Sequence, residues 1–433
     1  MEKKGQSYLR EVREQIKSKE AKDFVSAELD SHIRGAKHEW MKKGLDEAEA
    51  EEKAVGQMGN PVTLGQQLNK LHRPKVDWLT VILLVTTMGL GFIPILFVDP
   101  TYSSMLGLDA SYFFKHKAIF AFLGGSVALG MMLLDYRKLA KLGWLFYGFG
   151  MFLLGILQIS PYFRSGNSVM AIGTFWVDSL IAIPFFLLAW ASFFYHKKLK
   201  LWQLSLVFLF SFLLFLETSN LPITYIYTVM VFGMFWWSRF SRKIKLAISG
   251  GIVGSLLVYG FIFLQFAYPY QKVRLLAFID PENFAEGPGY IILLIQERMS
   301  KAGWFGNVLN SERIPDAHTD LVFVGFTYYF GWLAAIALVA ILALLIVRIL
   351  MIARSIQEPF GKLLVFGAVV LYTVQLVSNI GMTLGVFPIT SISLPFISYG
   401  LMPTLFNAFL IGVVLSVYRR KDLVSGRSVQ VTN

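Results

Sequence analysis

Ile314-Pro315-Asp316-Ala317-His318-Thr319-Asp320 leads directly into Leu321-Val322-Phe323-Val324-Gly325-Phe326, the start of an apolar stretch covering 321–351. A helix needs about 20 consecutive apolar residues to cross the hydrocarbon core of a bilayer, and this stretch exceeds that. It reads as a membrane span with a carboxylate at its mouth. An acid so close to hydrocarbon is costly to keep ionised unless it meets water, a partner or a substrate. Asp320 also suits a helix N-terminus, where Asp and Thr accept free N–H groups and face the positive end of the dipole. The two roles can coexist.

Apolar runs of similar length recur at about 78–98, 117–134, 142–160, 176–195, 201–217, 221–237, 246–266, 363–384 and 396–418, which with 321–347 makes ten predicted spans. The fifth and sixth are separated only by a tight turn around Asn220-Leu221-Pro222. Charged residues make up 16% of the chain, against roughly 25% in a soluble domain, so an integral membrane protein is expected. The predicted fold class is all-α: a polytopic membrane protein of about ten transmembrane helices with a small N-terminal helical domain. With no cysteine, a disulfide, a thiolate metal site and a cysteine nucleophile are all excluded.

The net charge of +12 looks like a nucleic-acid signal, but its placement argues otherwise. Residues 1–76 hold 15 Lys+Arg and 13 Asp+Glu, which leaves 25 and 15 for the remainder, mostly in short loops. Arg137, Lys138 and Lys141; Lys197, Lys198 and Lys200; Arg239, Arg242, Lys243 and Lys245; Arg348, Arg354 and Lys362; and Arg419, Arg420 and Lys421 mark alternate connections. The intervening ones are poor in cations, apart from Lys115 and Lys117 in the first and several in a long one at 267–319. Cations mark cytoplasmic loops, and long loops count little. Both termini are therefore expected in the cytoplasm and the long loop outside. The N-terminus is polar and helical in pattern, so no cleavable signal peptide is expected to open the chain.

Within 1–76, Val12, Ile16, Phe24, Leu29 and Ile33 recur at helical spacing among charges, Gly44 punctuates the pattern and Gly59-Asn60-Pro61 stops it. A soluble domain of three or four helices follows, with 77–420 as the membrane domain and 421–433 as a cytosolic tail. Ala27-Glu28-Leu29-Asp30-Ser31-His32-Ile33, Gly44-Leu45-Asp46-Glu47-Ala48-Glu49 and Met58-Gly59-Asn60-Pro61 resemble the cytosolic prefix domain ahead of some bacterial permeases. A solvated charged helical tail accounts for the same residues equally well.

A loop of some fifty residues is usually functional or disordered. This one holds Tyr268, Tyr270, Phe278, Phe284, Tyr290, Trp304 and Phe305, which suit packing on the membrane surface or interfacial helices. Asp178, Glu217 and Asp320 fall near the outer ends of their spans, and Lys272, Arg274, Arg298 and Lys301 lie in the loop, so ionisable chemistry gathers on the external face. Asp178 and Glu217 read equally well as interfacial caps.

Four stretches then resemble the SEDS family (shape, elongation, division and sporulation), the RodA/FtsW type of cell-wall polymerase, over about 78–420. They are Phe113-Phe114-Lys115 through Gly124 to Asp135-Tyr136-Arg137; Pro269-Tyr270-Gln271-Lys272-Val273-Arg274 with Phe278-Ile279-Asp280-Pro281-Glu282 and Gly287-Pro288-Gly289-Tyr290; Ile314 to Phe323; and Asn379-Ile380-Gly381 with Pro388-Ile389-Thr390 and Leu394-Pro395-Phe396-Ile397-Ser398-Tyr399-Gly400. The resemblance implies a peptidoglycan glycosyltransferase of the bacterial plasma membrane that polymerises lipid II into a growing glycan strand on the outer face. It implies a class b penicillin-binding protein as partner, contact with membrane lipids and none with nucleic acid. It also makes Asp320 the catalytic carboxylate. A carboxylate within hydrogen-bond reach can act as general base on the acceptor sugar's 4-hydroxyl. Cations or a divalent metal, Mg2+ or Mn2+, would stabilise the leaving diphosphate.

Arg274 is the first candidate for that charge, with Lys115, Lys272 and Lys301 behind it. Glu312 and Asp316 match acidic positions of the motif and could tune Asp320 or hold a metal, while solvated loop charges explain each singly. His318 could orient Thr319 or bind substrate, although a structural hydrogen bond fits a lone histidine better. Ser398 and Tyr399 read as packing or substrate-groove residues, since no general base for a serine nucleophile is evident. Three departures stand out. Leu180 and Ile183 occupy positions where the family carries Glu and Lys, Asn220-Leu221-Pro222-Ile223 replaces Asp-Leu-Gly-Thr, and Gly400-Leu401-Met402-Pro403 replaces Gly-Gly-Ser-Ser. A catalytically impaired scaffold and a lipid-linked precursor transporter therefore remain as alternatives.

Overall fold

The computed structural model describes residues 4–72, 74–98, 110–160, 162–164, 167–173, 175–196, 198–252, 254, 269–307, 312 and 314–423. They divide into two compact units, one from the segments Met1–Asp77 and Val417–Asn433 and the other from Trp78–Ser416.

The first unit contains helices Lys4–Gln15, Lys19–Lys42, Glu47–Gly56 and Pro61–His72. Their starts carry caps that the sequence supplies: Ser18 accepts from Ala21 N, Asp46 from Glu49 N, and Asn60 Oδ1 from Val62 N and Thr63 N. Apolar residues at helical spacing close the core, with Tyr8, Val12, Ile16, Val25, Leu29 and Ile33 buried together. Leu423 joins this core and Asp422 pairs with Lys75 at 2.7 Å, so the segment expected as a tail packs as far as it is described.

In the second unit, six helices among the described residues are long and apolar enough to cross a membrane: Trp78–Leu96, Ser111–Leu133, Tyr136–Ile159, Val322–Ser355, Pro359–Thr383 and Leu401–Arg419. Three shorter apolar helices, Ser179–Tyr195, Leu201–Glu217 and Leu221–Trp236, fall on the fourth to sixth predicted spans. The seventh, at 246–266, lies mostly outside the described residues. Pro359–Thr383 and Leu401–Arg419 form the interior, 78% and 72% buried against 22–33% for the other long helices. These two are joined by a reciprocal amide pair: Gln375 Nε2 donates to Asn407 Oδ1 at 3.2 Å and Asn407 Nδ2 to Gln375 Oε1 at 3.0 Å. Where apolar contact alone gives little preference for protein over lipid, such polar contacts fix which helix faces meet.

The structure departs from the sequence expectation at four places. The second span begins at Ala110, so Lys115 and Lys117 lie within a helix and not in a loop. The last helix begins at Leu401, and 396–400 form a turn in which Phe396 adopts φ +63°. Between the third and fourth spans, β1 (Tyr162–Arg164), β2 (Asn167–Ile172) and β3 (Phe175–Val177) make a small antiparallel sheet in which Tyr162 faces Val169 and Met170 faces Val177.

The fourth departure concerns the span after Asp320, which is broken at Gly331 (φ 86°, ψ 170°). The segment that follows helix Tyr290–Lys301 docks its backbone into the gap. Trp332 N donates to Gly303 O at 3.0 Å, Leu333 N to Trp304 O at 3.3 Å and Asn307 N to Tyr328 O at 3.0 Å. Irregular backbone at a membrane is tolerated where protein satisfies its polar groups, as here. Only glycine fits: a Cβ at Gly331 would stand 2.4 Å from Trp304 O, and one at Gly306 2.3 Å from Tyr329 O. Trp304 and Phe305, at the tip of the docked segment, are exposed aromatics suited to an interface.

Candidate active site

Asp320 closes a tight turn just ahead of the broken helix. Asp316, at φ +50°, offers its carbonyl to Thr319 N at 2.9 Å and Leu321 N at 3.1 Å, which reverses the chain and starts the helix at Val322. Three successive carbonyls of this turn are then held from outside it. His318 O accepts from Tyr399 N at 2.7 Å, Thr319 O from Ser398 Oγ at 2.7 Å and Asp320 O from Asn379 Nδ2 at 3.0 Å. Asn379 Nδ2 donates also to Ile392 O at 2.8 Å, which ties the turn to the interior helix and to the 388–400 segment together. The half-buried Asp320 is thus fixed through its backbone.

His318 sits against two aromatic rings, Phe113 at 5.7 Å in an edge-on arrangement and Tyr399 at 5.8 Å. Burial holds the imidazole below its ordinary pKa, against a smaller opposite pull from Asp316. The ring is accordingly neutral near pH 7 and serves as a packing surface for the turn.

Glu312 takes a different part from the one expected of it. Arg298 Nη1 donates to Glu312 Oε2, Tyr328 OH reaches the same oxygen at 3.3 Å, and Lys301 Nζ lies 3.5 Å from Oε1. Tyr329 OH donates to the Glu312 carbonyl at 3.1 Å, and the Arg298 guanidinium lies over the Tyr328 ring at 5.7 Å. The carboxylate is engaged in latching helix Tyr290–Lys301 to the first half of the broken helix. Lys301, shared with Glu297 at 2.6 Å, belongs to the same cluster.

Ser398 is also relocated. It is 1% exposed, and its hydroxyl both donates to Thr319 O and accepts from Leu394 N at 2.9 Å, so both of its bonds serve the turn. Lys115 is exposed, two residues and hence about 200° round the helix from Phe113 and Lys117, away from the face that meets His318. Asp316 is exposed and Thr319 and Lys272 are half-buried. Arg274 lies in helix Pro269–Ile279, with its side chain outside the described residues. Asp178 caps the Ser179–Ala182 turn by accepting from Leu180 N at 2.9 Å. No group of three or more His, Asp or Glu among the described residues gathers as a metal site needs, and Glu312 is already engaged, so these side chains do not fit an all-protein cage for Mg2+ or Mn2+.

Two residues essential to this geometry carried no assigned role in the sequence reading. Asn379 was legible only as part of a motif. Lys117 had a usable signal, a cation four residues after Phe113 and three before Phe120 on one helical face.

Residues 77–423 match the family of cell cycle proteins that comprises FtsW, RodA and SpoVE. The chain belongs to that family. It is 31% identical over 207 residues to the probable peptidoglycan glycosyltransferase FtsW of Thiomicrospira cyclica, covering 42% of this chain and 53% of that one. With its counterpart in Geobacter metallireducens it shares 24% identity over 390 residues, 83% of this chain and 99% of the relative. The peptidoglycan glycosyltransferase MrdB of Escherichia coli K12 is 29% identical over 164 residues, 36% of this chain and 44% of the relative. The chain spans about half the length of the curated relatives it first matches. Its fold resembles a peptidoglycan synthase complex solved to show structural coordination of polymerization and crosslinking, with TM-score 0.67 and 24% identity over 80% of this chain and 98% of that one. It resembles the rod shape determining protein RodA of Thermus thermophilus with TM-score 0.58 and 21% identity, over 80% and 97%. This FtsW/RodA-type chain is a multi-pass helical membrane protein.

Proposed function

We propose that this FtsW/RodA-type chain polymerises lipid II into glycan strands at the outer face of the bacterial plasma membrane, with both termini in the cytoplasm. The observation that carries the reading is the Asp320 turn, whose three consecutive carbonyls are fixed by Tyr399, Ser398 and Asn379. Such pre-organisation is what a general base requires, because a small misplacement of a catalytic group costs rate heavily.

In this reading, the Asp320 carboxylate takes the proton from the acceptor's 4-hydroxyl as that oxygen bonds to the anomeric carbon of the donor. The bond from that carbon to the diphosphate breaks, and the diphosphate leaves with the electron pair. Arg274 and Lys272, on the helix at the start of the external loop, supply charge to the leaving group. Lys301 is spoken for by Glu297 and Glu312. No step is assigned to a divalent cation. A class b penicillin-binding protein is the proposed partner.

A second reading, a scaffold for that partner without turnover, draws on Leu180 and Ile183. Both are buried apolar side chains at 8% and 0% exposure, where the resemblance carries a Glu and a Lys. Purified protein in liposomes containing lipid II, with Mg2+, with Mn2+ and with EDTA, separates the two. Polymer formed by the parent supports the enzyme. A parent that makes none, while Asp320→Asn complements a deletion fully, supports the scaffold.

A further inference from the structure

A lysine inside a membrane span is expensive to keep, and its presence points to a specific partner. Lys117 is 1% exposed within the span Ser111–Leu133. Its ammonium has no carboxylate partner among the described residues. Instead Nζ donates to Phe396 O at 2.9 Å and to Ser398 O at 2.9 Å. The turn it holds would not keep that shape unaided. Phe396 is a bulky residue at φ +63°, a conformation that persists only where the surroundings enforce it. Space for the contact comes from the end of the first span: a Cβ at Gly91 would stand 2.3 Å from Phe396 O and 3.0 Å from Lys117 Nζ.

The held turn is the one that grips the residues ahead of Asp320. Ser398, whose carbonyl Lys117 binds, sends its hydroxyl to Thr319 O. Tyr399, the next residue, sends its N–H to His318 O. Phe113, one helical turn before Lys117 on the same buried face, packs on both His318 and Tyr399. Two of the three bonds that fix the Asp320 turn therefore originate in a segment whose conformation Lys117 enforces.

We infer that Lys117 is a positioning residue for the reaction: it holds the Phe396–Ser398 turn against the membrane core and, through Ser398 and Tyr399, sets the placement of Asp320. It touches no substrate. The inference rests on the reading of Asp320 as the base, and the geometric part of it can be tested apart from that reading.

The test compares Lys117→Met, which keeps the length and removes the donors, with Lys117→Gln, which keeps an N–H2 group. Turnover of lipid II by Lys117→Met is expected to fall about tenfold to a hundredfold, in kcat and not in KM. Lys117→Gln is expected to recover part of that loss. A second readout uses the cysteine-free chain: Asp320→Cys is labelled with a membrane-impermeant maleimide, alone and with each Lys117 change. The labelling rate is expected to shift at least about threefold with Lys117→Met and less with Lys117→Gln. Should Lys117→Met fail to accumulate in membranes, Gly91→Ala crowds the same contact while leaving every charge in place, and the same two shifts are expected of it. Turnover and labelling within about twofold of the parent would overturn the inference. If the parent forms no polymer, the proposed function fails while the labelling rates still decide the positioning claim.

Discussion

Glu312 and Asp320 lie on one loop, carry the same charge and were both candidates for the chemistry, yet the protein holds them in opposite ways. Glu312 is gripped by its side chain: Arg298, Lys301 and Tyr328 converge on the carboxylate. Asp320 is gripped by its backbone, through Asn379, while Ser398 and Tyr399 hold the two carbonyls before it. A carboxylate wrapped in donors has its basicity and position given over to structure. Asp320 is instead placed by its main chain, at the mouth of the span. The contrast separates a carboxylate used as a latch from the one proposed as the base.

Four changes would break or sharpen that contrast. Asp320→Asn keeps the shape and removes the base, and lipid II turnover is expected to fall by about 10²–10⁴ with the melting temperature unchanged. Asn379→Ala deletes the donor to Asp320 O and Ile392 O, and about a tenfold loss of kcat is expected, read in the same assay. Glu312→Gln should act on stability instead. It leaves Arg298, whose side chain is only 11% exposed, with Glu297 at 3.4 Å as its remaining carboxylate partner, and since Glu312 itself is 34% exposed the cost is expected to be about 1–2 kcal/mol, seen as a lower melting temperature with turnover largely kept.

The smallest effect concerns pH. The His318 pKa is lowered in the folded turn, so the unfolded chain binds that proton more readily. The histidine's contribution is full above its ordinary value of about 6.5 and is lost as pH falls below it. Melting temperatures at pH 7.5 and 5.5 should therefore differ less in His318→Gln than in the parent.

Much of the fold was legible because a span is announced by some twenty apolar residues in a row, whatever its neighbours do. Features that depend on contact between distant segments were not. The break at Gly331 is invisible in a continuous apolar run, since it is made by the backbone of Gly303 and Trp304 bonding to Trp332 and Leu333. Charge misled the reading at the second span, where Lys115 and Lys117 looked like loop residues because a buried cation is rare. Lys117 is in the helix because two carbonyls from near the end of the chain meet it there. The sheet at 162–177 was missed because strands of three to six residues leave too short a pattern. At the candidate site, the motif singled out Asp320. The latch role of Glu312 was not, because Arg298 stands fourteen residues away and only the fold brings it near.

The most direct measurement sets lipid II turnover by Asp320→Asn beside that by Glu312→Gln in the same liposomes, with melting temperatures taken on both. Polymer is expected from Glu312→Gln despite its lower melting temperature, and essentially none from a fully folded Asp320→Asn. Polymer from Asp320→Asn at the parent's rate, or a silent but fully stable Glu312→Gln, would contradict it.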